Sequence, residues 1–227
     1  MASDLCGVHA QVMSSAELTL WARVEGLEPD AVERALWEER TLVKTWAMRG
    51  TLHLLPATEL SMWIAALGTR IERQFLNRAR QRYFGFTHEE AVRLIDAIGK
   101  ALDGRELTRA ELAEAVGDER LLESWGAMLK PAAAAGELLF ARGEGQKVRF
   151  TRPAWTPSDP AAALEEVARR YLRSGGPVTR EDLARWWGAS PSRSRAALAP
   201  AVSPWPRLWA ASRRACPAAP SAWLAMD

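Results

Sequence analysis

The sequence predicts a mainly α protein with small β-hairpins, an α+β chain built from tandem winged helix-turn-helix modules. The first observation is an internal repeat, because LTRAELAEAVG at 107–117 returns as VTREDLARWWG at 178–188. The second is the segment 137–152, where two apolar runs flank a Gly-Glu-Gly turn, which is typical of a β-hairpin. A capped short helix, a second helix and a hairpin in this order indicate a winged helix, with the second helix as groove reader and the hairpin as wing.

Each copy of the repeat predicts a short helix with defined ends. It begins with a Thr that can cap the first free amides, carries an acid three residues later that can bond back to the cap, and ends at a Gly. The positions are Thr108, Glu111 and Gly117 in the first copy and Thr179, Asp182 and Gly188 in the second. A helix this short cannot bury an apolar face alone, so each copy must belong to a larger helical unit.

We divide the chain into three modules, residues 1–86, 87–155 and 156–227. The first is short at its N-terminus, and apolar spacing predicts its helices at 14–24 and 30–39. A change to alternating residues predicts a hairpin at 42–55 that folds about Arg49 and Gly50, which would be a first wing. A long helix is then expected from Pro56 to about Arg82.

The second module starts with a helix at 89–102 capped by Thr87, and its wing is the hairpin at 137–152. Between the repeat and the wing we expect a helix at 119–135 with a kink or restart at Pro131. The third module has predicted helices at 161–173 and 192–199 around the second repeat copy. Prolines interrupt 200–222, so this module is incomplete, with an irregular C-terminal tail in place of a wing.

Composition limits the kind of partner. The 227-residue chain has a net charge of only +2, so attraction to phosphate must come from local clusters of cations. Cys6 and Cys216 show no metal-binding or redox spacing, and we expect no metal and no cofactor. No apolar run has membrane-spanning length and the N-terminus has no targeting pattern, so we expect a cytoplasmic protein.

Five segments, in this order and spacing, resemble the winged-helix DNA glycosylases of the AlkZ and YcaQ type. The segments are GVHAQ at 7–11, TWAMRGTLH at 45–53, WGAMLKP at 125–131, the second wing at 143–153, and the repeat at 179–188. The resemblance covers about residues 5–198. It implies tandem winged helices around a cleft that binds double-stranded DNA, and the excision of alkylated or crosslinked bases.

The resemblance also implies catalytic positions. In the family a Gln, an apolar residue and a Gln or Asp position the hydrolytic water, and this motif matches His9, Ala10 and Gln11, with His9 in place of the usual Gln. N-glycosidic hydrolysis needs a water-positioning acceptor and a weak base, which Gln11 and His9 could supply. The pair converges only if residues 8–11 are extended or in a loop, and the alternative for His9 is a polar residue near a frayed terminus.

Candidate DNA contacts are cations and one histidine on the two hairpins and the segment between them. They are Arg49, His53, Lys130, Arg142, Lys147 and Arg149. The alternatives are a solvated hairpin for the second wing, and a half-buried histidine linking hairpin to helix for His53. A further basic stretch at 70–82 has its arginines spread around the predicted helix, which favours a solvated face over a binding stripe.

Three functions follow from these patterns. The first is sequence-tolerant DNA binding with a base-excision centre at His9 and Gln11. The second is a non-catalytic DNA binder or transcriptional regulator on the same scaffold. The third, a protein-interaction module, would account for the nearly neutral charge. Salt-dependent duplex binding separates the third function from the others, and base release separates the first from the second.

Overall fold

The structure of the protein, a computed structural model, describes residues 1–123, 126, 128–145, 147–175 and 178–188. The predicted helix at 192–199 and the tail lie outside these residues. Among the described residues, no helix is long and apolar enough to cross a membrane.

The first winged-helix unit is a three-stranded antiparallel sheet with two helices on one face. Its strands are β1 (Val8–His9), β2 (Leu42–Trp46) and β3 (Leu52–Pro56), in the order β1-β3-β2. The helices α1 (Met13–Trp21) and α2 (Ala31–Trp37) lie between β1 and β2 in the chain. Apolar side chains from α1, α2 and this face of the sheet form one core cluster, which includes Ala16, Leu20, Val32, Leu36 and Leu54. The predicted hairpin and both helices are confirmed.

The long helix predicted from Pro56 to Arg82 is wrong. A short 3-10 turn at Ala57–Glu59 leads into α3 (Leu60–Gly68), a single π-helical turn follows at Ile71–Phe75, and α4 (Arg78–Phe84) is separate. Asn77 is extended, and its side-chain oxygen accepts hydrogen bonds from the amides of Ala79 and Arg80. It therefore caps a new helix where the apolar pattern predicted a continuous one.

The second unit has the same topology in complete form. It contains α5 (His88–Ala101), β4 (Leu107–Thr108), α6 (Arg109–Val116), α7 (Arg120–Glu123), α8 (Leu129–Ala134), β5 (Leu139–Glu144) and β6 (Lys147–Thr151). The sheet order β4-β6-β5 repeats that of the first unit. The hairpin predicted at 137–152 is confirmed.

Of the kink or restart predicted at Pro131, the structure has a restart, and the new helix begins slightly earlier, at Leu129. The helical segment at 119–135 divides at Gly126, whose φ is +71°, and Pro131 lies in the first turn of α8. Proline is tolerated there because first-turn amides have no partner within the helix.

The third unit begins with α9 (Pro160–Gly175) and α10 (Arg180–Trp187). Both repeat copies carry the predicted capping box, including the one made by the shorter Asp182, and both end at a left-handed Gly. The α9 helix packs along α3, and one large core cluster includes Leu55, Leu112, Val167 and Trp187 from all three units. The fold class is therefore a mainly helical tandem winged helix with small antiparallel sheets.

Candidate active site and nucleic-acid interface

His9 and Gln11 lie at the edge of the first sheet. His9 pairs with His53 across β1 and β3, and the amide of Ala10 donates to the carbonyl of Leu52 at 2.7 Å. Gln11 Oε1 accepts a long bond of 3.5 Å from the Leu52 amide. Both His9 and Gln11 are exposed while Ala10 is fully buried. The non-helical backbone that the pair requires is present, and both side chains are accessible to a ligand.

His53 lies beside His9, on the neighbouring strand of the sheet, and is buried. The two rings meet edge to face, with centroids 5.4 Å apart. His53 Nδ1 is 3.0 Å from the carbonyl oxygen of Thr51, which can only accept, so Nδ1 carries the proton of the neutral ring and Nε2 is the acceptor. Burial lowers the pKa of His53 to about 4, and the charges of His9 and Arg49 act in the same direction. His53 is therefore uncharged at neutral pH.

A polar row crosses the first sheet at this level. Thr45 on β2 pairs with His53 on β3, which pairs with His9 on β1. Thr45 is buried, and its hydroxyl has no hydrogen-bond partner in the described part of the chain. Thr45 was not marked by the sequence analysis, although a hairpin that folds about residues 49–50 already places it opposite His53. Two buried polar residues, Thr45 and His53, therefore lie next to the exposed His9 in the sheet.

Arg49 lies in the turn between β2 and β3, next to this row. Its φ is +56°, a left-handed conformation that costs a non-glycine residue about 1 kcal/mol or more. The side chain is exposed, and its charge reaches His53. The structure thus brings four predicted residues together, namely His9, Gln11, Arg49 and His53. The sequence analysis grouped His53 with exposed cations as a candidate DNA contact, but His53 is buried whereas Arg49 is exposed.

The cations of the second wing form a different group. Arg142 makes an exposed ion pair with Glu33 of α2 at 3.0 Å. Arg149 donates to the carbonyl of Glu106 at 3.1 Å, and its guanidinium is 3.7 Å from the Glu111 carboxylate. Lys147 is exposed and has no carboxylate within 4 Å among the described residues. Lys147 is therefore the wing cation most available to phosphate.

Lys130 lies on α8 beside the first hairpin turn. Its side chain packs on Gly50, where a β-carbon would lie 3.7 Å from Lys130 Nζ. Burial and the charge of Arg80 lower the pKa of Lys130. Lys130 and Arg70 line one pocket, and Arg70 is buried, so the solvated face that the sequence analysis favoured for the stretch 70–82 is wrong for this residue.

In the described ranges, no group of three or more His, Cys, Asp or Glu side chains is placed to hold a metal ion. At the β1 edge, the exposed side chains of His9 and Gln11 provide an imidazole and a carboxamide beside the neutral imidazole of His53.

Comparison with known proteins supports the resemblance seen in the sequence. A family described as "DNA glycosylase AlkZ-like" matches residues 2–222. The interstrand DNA cross-link repair glycosylase of Streptomyces sahachiroi is 36% identical over an alignment of 197 residues, and the match covers 80% of this chain and 52% of that protein. The solved structure of S. sahachiroi DNA glycosylase AlkZ superimposes with a TM-score of 0.78 at 34% identity, covering 86% of this chain and 56% of the other. The chain spans about half the length of these relatives, and it belongs to the AlkZ-like DNA glycosylase family.

Proposed function

We propose that the protein binds double-stranded DNA and excises an alkylated or crosslinked base by hydrolysis of the N-glycosidic bond. The observation that carries this proposal is the β1 edge, where His9 and Gln11 are exposed on either side of the buried Ala10. The relative from S. sahachiroi is an interstrand DNA cross-link repair glycosylase, which is the source of the crosslinked substrate in the proposal.

The reaction assigns one role to each side chain. The bond between C1′ of the sugar and the base nitrogen breaks, and the base leaves with the bonding electrons. Water attacks C1′ on the opposite face, Gln11 Oε1 accepts a hydrogen bond from that water, and a ring nitrogen of His9 accepts its proton. The target nucleotide must leave the base stack to reach an edge strand, and both side chains are open to solvent there.

His53 would act as a positioning residue. The edge-to-face contact of His53 orients the His9 ring. The carbonyl of Thr51 in turn sets the tautomer of His53. Because His53 is uncharged at neutral pH, it places no positive charge next to the His9 ring. Arg49, exposed in the adjacent turn, is suited to a DNA phosphate.

The decisive experiment measures release of a modified base from duplexes that carry an alkylated purine or an interstrand crosslink. We expect Gln11→Ala to lower the rate by roughly 10²- to 10⁴-fold, the range of a positioned acid or base, with nearly unchanged affinity for the duplex. His9→Ala should behave in the same way, and His9→Gln, which restores the family motif but cannot accept a proton from water, should also release the base more slowly than wild type. Val12→Ala, at the adjacent exposed position, is the matched control.

A competing function is a DNA binder without catalysis, and the observation that favours it is His9 itself, which replaces the usual Gln. Wild-type protein that binds duplexes with a steep salt dependence but releases no base would support this second function. Undiminished release by Gln11→Ala would refute the proposed catalytic role of that residue.

A further inference from the structure

Arg70 is a buried arginine without an acidic partner. Its side chain is 2% exposed, and one terminal nitrogen, Nη2, donates to Gln74. Nε and Nη1 have no hydrogen-bond partner in the described part of the chain. Burial lowers the pKa of Arg70 to about 10, so the guanidinium remains charged at neutral pH. Two nitrogens of a buried cation therefore carry N–H groups that have no acceptor among the described residues.

The contacts that Arg70 does make do not satisfy these groups. The guanidinium carbon lies 4.8 Å from the centre of the Trp187 ring. This is a cation–π contact, and it provides no hydrogen-bond acceptor for the N–H groups of Arg70. Nη2 also lies at the C-terminal end of α10, where a β-carbon on Gly188 would be 2.7 Å away, and the helix dipole favours a cation there. Neither contact supplies an acceptor to Nε or Nη1, and an unpaired buried charge is costly.

The surroundings of Arg70 add positive charge. Arg73 lowers the pKa of Arg70, and Arg80 lowers that of Lys130. None of these four cations has a carboxylate within 4 Å in the ranges that the structure describes. The acid in this segment, Glu72, is bound to His88 at 2.9 Å. Arg170, by contrast, is a half-buried arginine that is paired with both Glu59 and Glu166. A cluster of like charges without a counter-charge is typical of a site for a polyanion.

The pocket itself lies between the first hairpin turn and α8. Arg70, Gln74 and Lys130 are its polar side chains, and Gly50 contributes backbone. Trp46, Gln74 and Lys130 are partly exposed, so the pocket reaches the surface at their side. The free space is about that of one water molecule, which suits a single anionic oxygen.

We propose that this pocket binds one oxygen of a DNA backbone phosphate, with Arg70 and Lys130 as the donors. Either unpartnered nitrogen of the Arg70 guanidinium can donate a charge-assisted hydrogen bond to a phosphate oxygen, and the Lys130 ammonium adds a second charge. The inference rests on the proposed DNA binding and adds a specific anchor to it. The pocket adjoins the turn that carries Arg49, so a phosphate held there fixes the register of the strand relative to β1.

The test compares duplex affinity across salt concentrations for wild type, Arg70→Met and Lys130→Met. The duplex is a plain, undamaged oligonucleotide. Each variant should bind roughly ten-fold more weakly at low salt, and the slope of log affinity against log salt should fall by about 0.9, the value for one lost phosphate contact. Arg93→Met, which removes an exposed cation from α5, is the control and should keep the wild-type slope.

Thermal unfolding provides a readout that does not depend on DNA. Inorganic phosphate should raise the unfolding temperature of wild type and Arg93→Met above that in chloride of equal ionic strength, and should not raise that of Arg70→Met. Without phosphate, Arg70→Met should be at least as stable as wild type, because it removes an unpaired buried charge; a purely structural Arg70 would give a less stable variant. Lys130 is only partly buried, so its variant supplies the same comparison if Arg70→Met does not fold.

The outcomes separate the pocket from the proposed function. Wild-type duplex binding with unchanged salt slopes in both variants would overturn the phosphate pocket and leave DNA binding in place. No duplex binding by wild type, together with a phosphate effect that Arg70→Met abolishes, would refute DNA as the occupant and the proposed function with it. Loss of slope and loss of the phosphate effect in the same variants supports both.

Discussion

His53 should make the stability of the protein depend on pH, and replacing it should remove that dependence. Its pKa is about 4 in the folded protein against 6.5 for an unperturbed histidine, mainly because burial disfavours the charged ring. The unfolded chain therefore binds more protons than the folded one between these values. The contribution is fully present above pH 6.5, and it is lost as the pH falls toward 4.

The size of this effect follows from the difference in pKa. At about 1.36 kcal/mol per unit, lowering the pH from 7.5 to 5 should reduce the free energy of unfolding by about 2 kcal/mol through His53 alone. The carboxylates also titrate toward the acid end of this range. The quantity to compare is therefore the difference between wild type and variant at each pH.

Urea unfolding at several pH values tests this directly. His53→Asn keeps an amide that can donate to the carbonyl of Thr51 but cannot titrate, so it should be less sensitive to acid than wild type by about 2 kcal/mol. His88→Asn changes an exposed histidine on α5 and leaves His53 in place, so it should retain the His53 contribution. Parallel pH dependence of wild type and His53→Asn would refute the burial argument, whatever their offset.

Two further predictions concern the second wing and the α7–α8 junction. Lys147→Met should lower the salt slope of duplex binding by about 0.9, while Arg149→Met should lower it less because hydrogen bonds within its own unit hold that side chain. Equal slopes for wild type and Lys147→Met would exclude Lys147 as a phosphate contact. Gly126→Ala should reduce the free energy of unfolding by about 2 to 4 kcal/mol, since φ is +71° and a β-carbon would lie 2.7 Å from the Trp46 ring. Gly104→Ala is the matched control for chemical denaturation, because its φ is +64° in open space and only the backbone cost of about 1 kcal/mol applies; equal losses in the two variants would rule out the steric contribution.

Local signals in the sequence were sufficient for the helix ends of the repeat. A capping box needs only residues three positions apart, so Thr108 with Glu111 and Thr179 with Asp182 could be read without the fold. The hairpin at 42–55 was equally local, and its turn at residues 49–50 sets the pairing of Thr45 with His53.

The errors arose where local signals compete. Asn77 is an ordinary polar residue in a helical pattern, yet its side chain caps α4. The chain therefore begins a new helix there, where the apolar spacing predicted one continuous helix. Pro131 is a strong helix breaker in a helix interior, but the chain had already turned at Gly126, which placed the proline in a first turn. In both segments, whether the helix continues depends on a side-chain bond or backbone angle that apolar spacing does not report.

The burial of the site residues could not be predicted from spacing. His53 and Arg70 are polar or charged residues in segments that look amphipathic, and each is buried by elements distant in sequence. His53 contacts His9 on the neighbouring strand, and Arg70 contacts Trp187 at the end of α10. Only the tertiary contacts distinguish these residues from the exposed cations beside them.

The glycine that ends the second repeat copy connects the repeat to the proposed interface. A β-carbon on Gly188 would lie 3.2 Å from Arg49 Cγ and 2.7 Å from Arg70 Nη2, whereas one on Gly117, the equivalent residue of the first copy, would meet nothing within 4 Å. Both glycines cap their helices in the left-handed conformation, so capping alone accounts for Gly117. At Gly188 the missing side chain also lets the end of α10 pack against both arginines. The end of α10 therefore packs against the turn at residues 48–50, which lies between the His9 edge and the Arg70 pocket. The same helix end contacts a residue of each proposed site, Arg49 and Arg70.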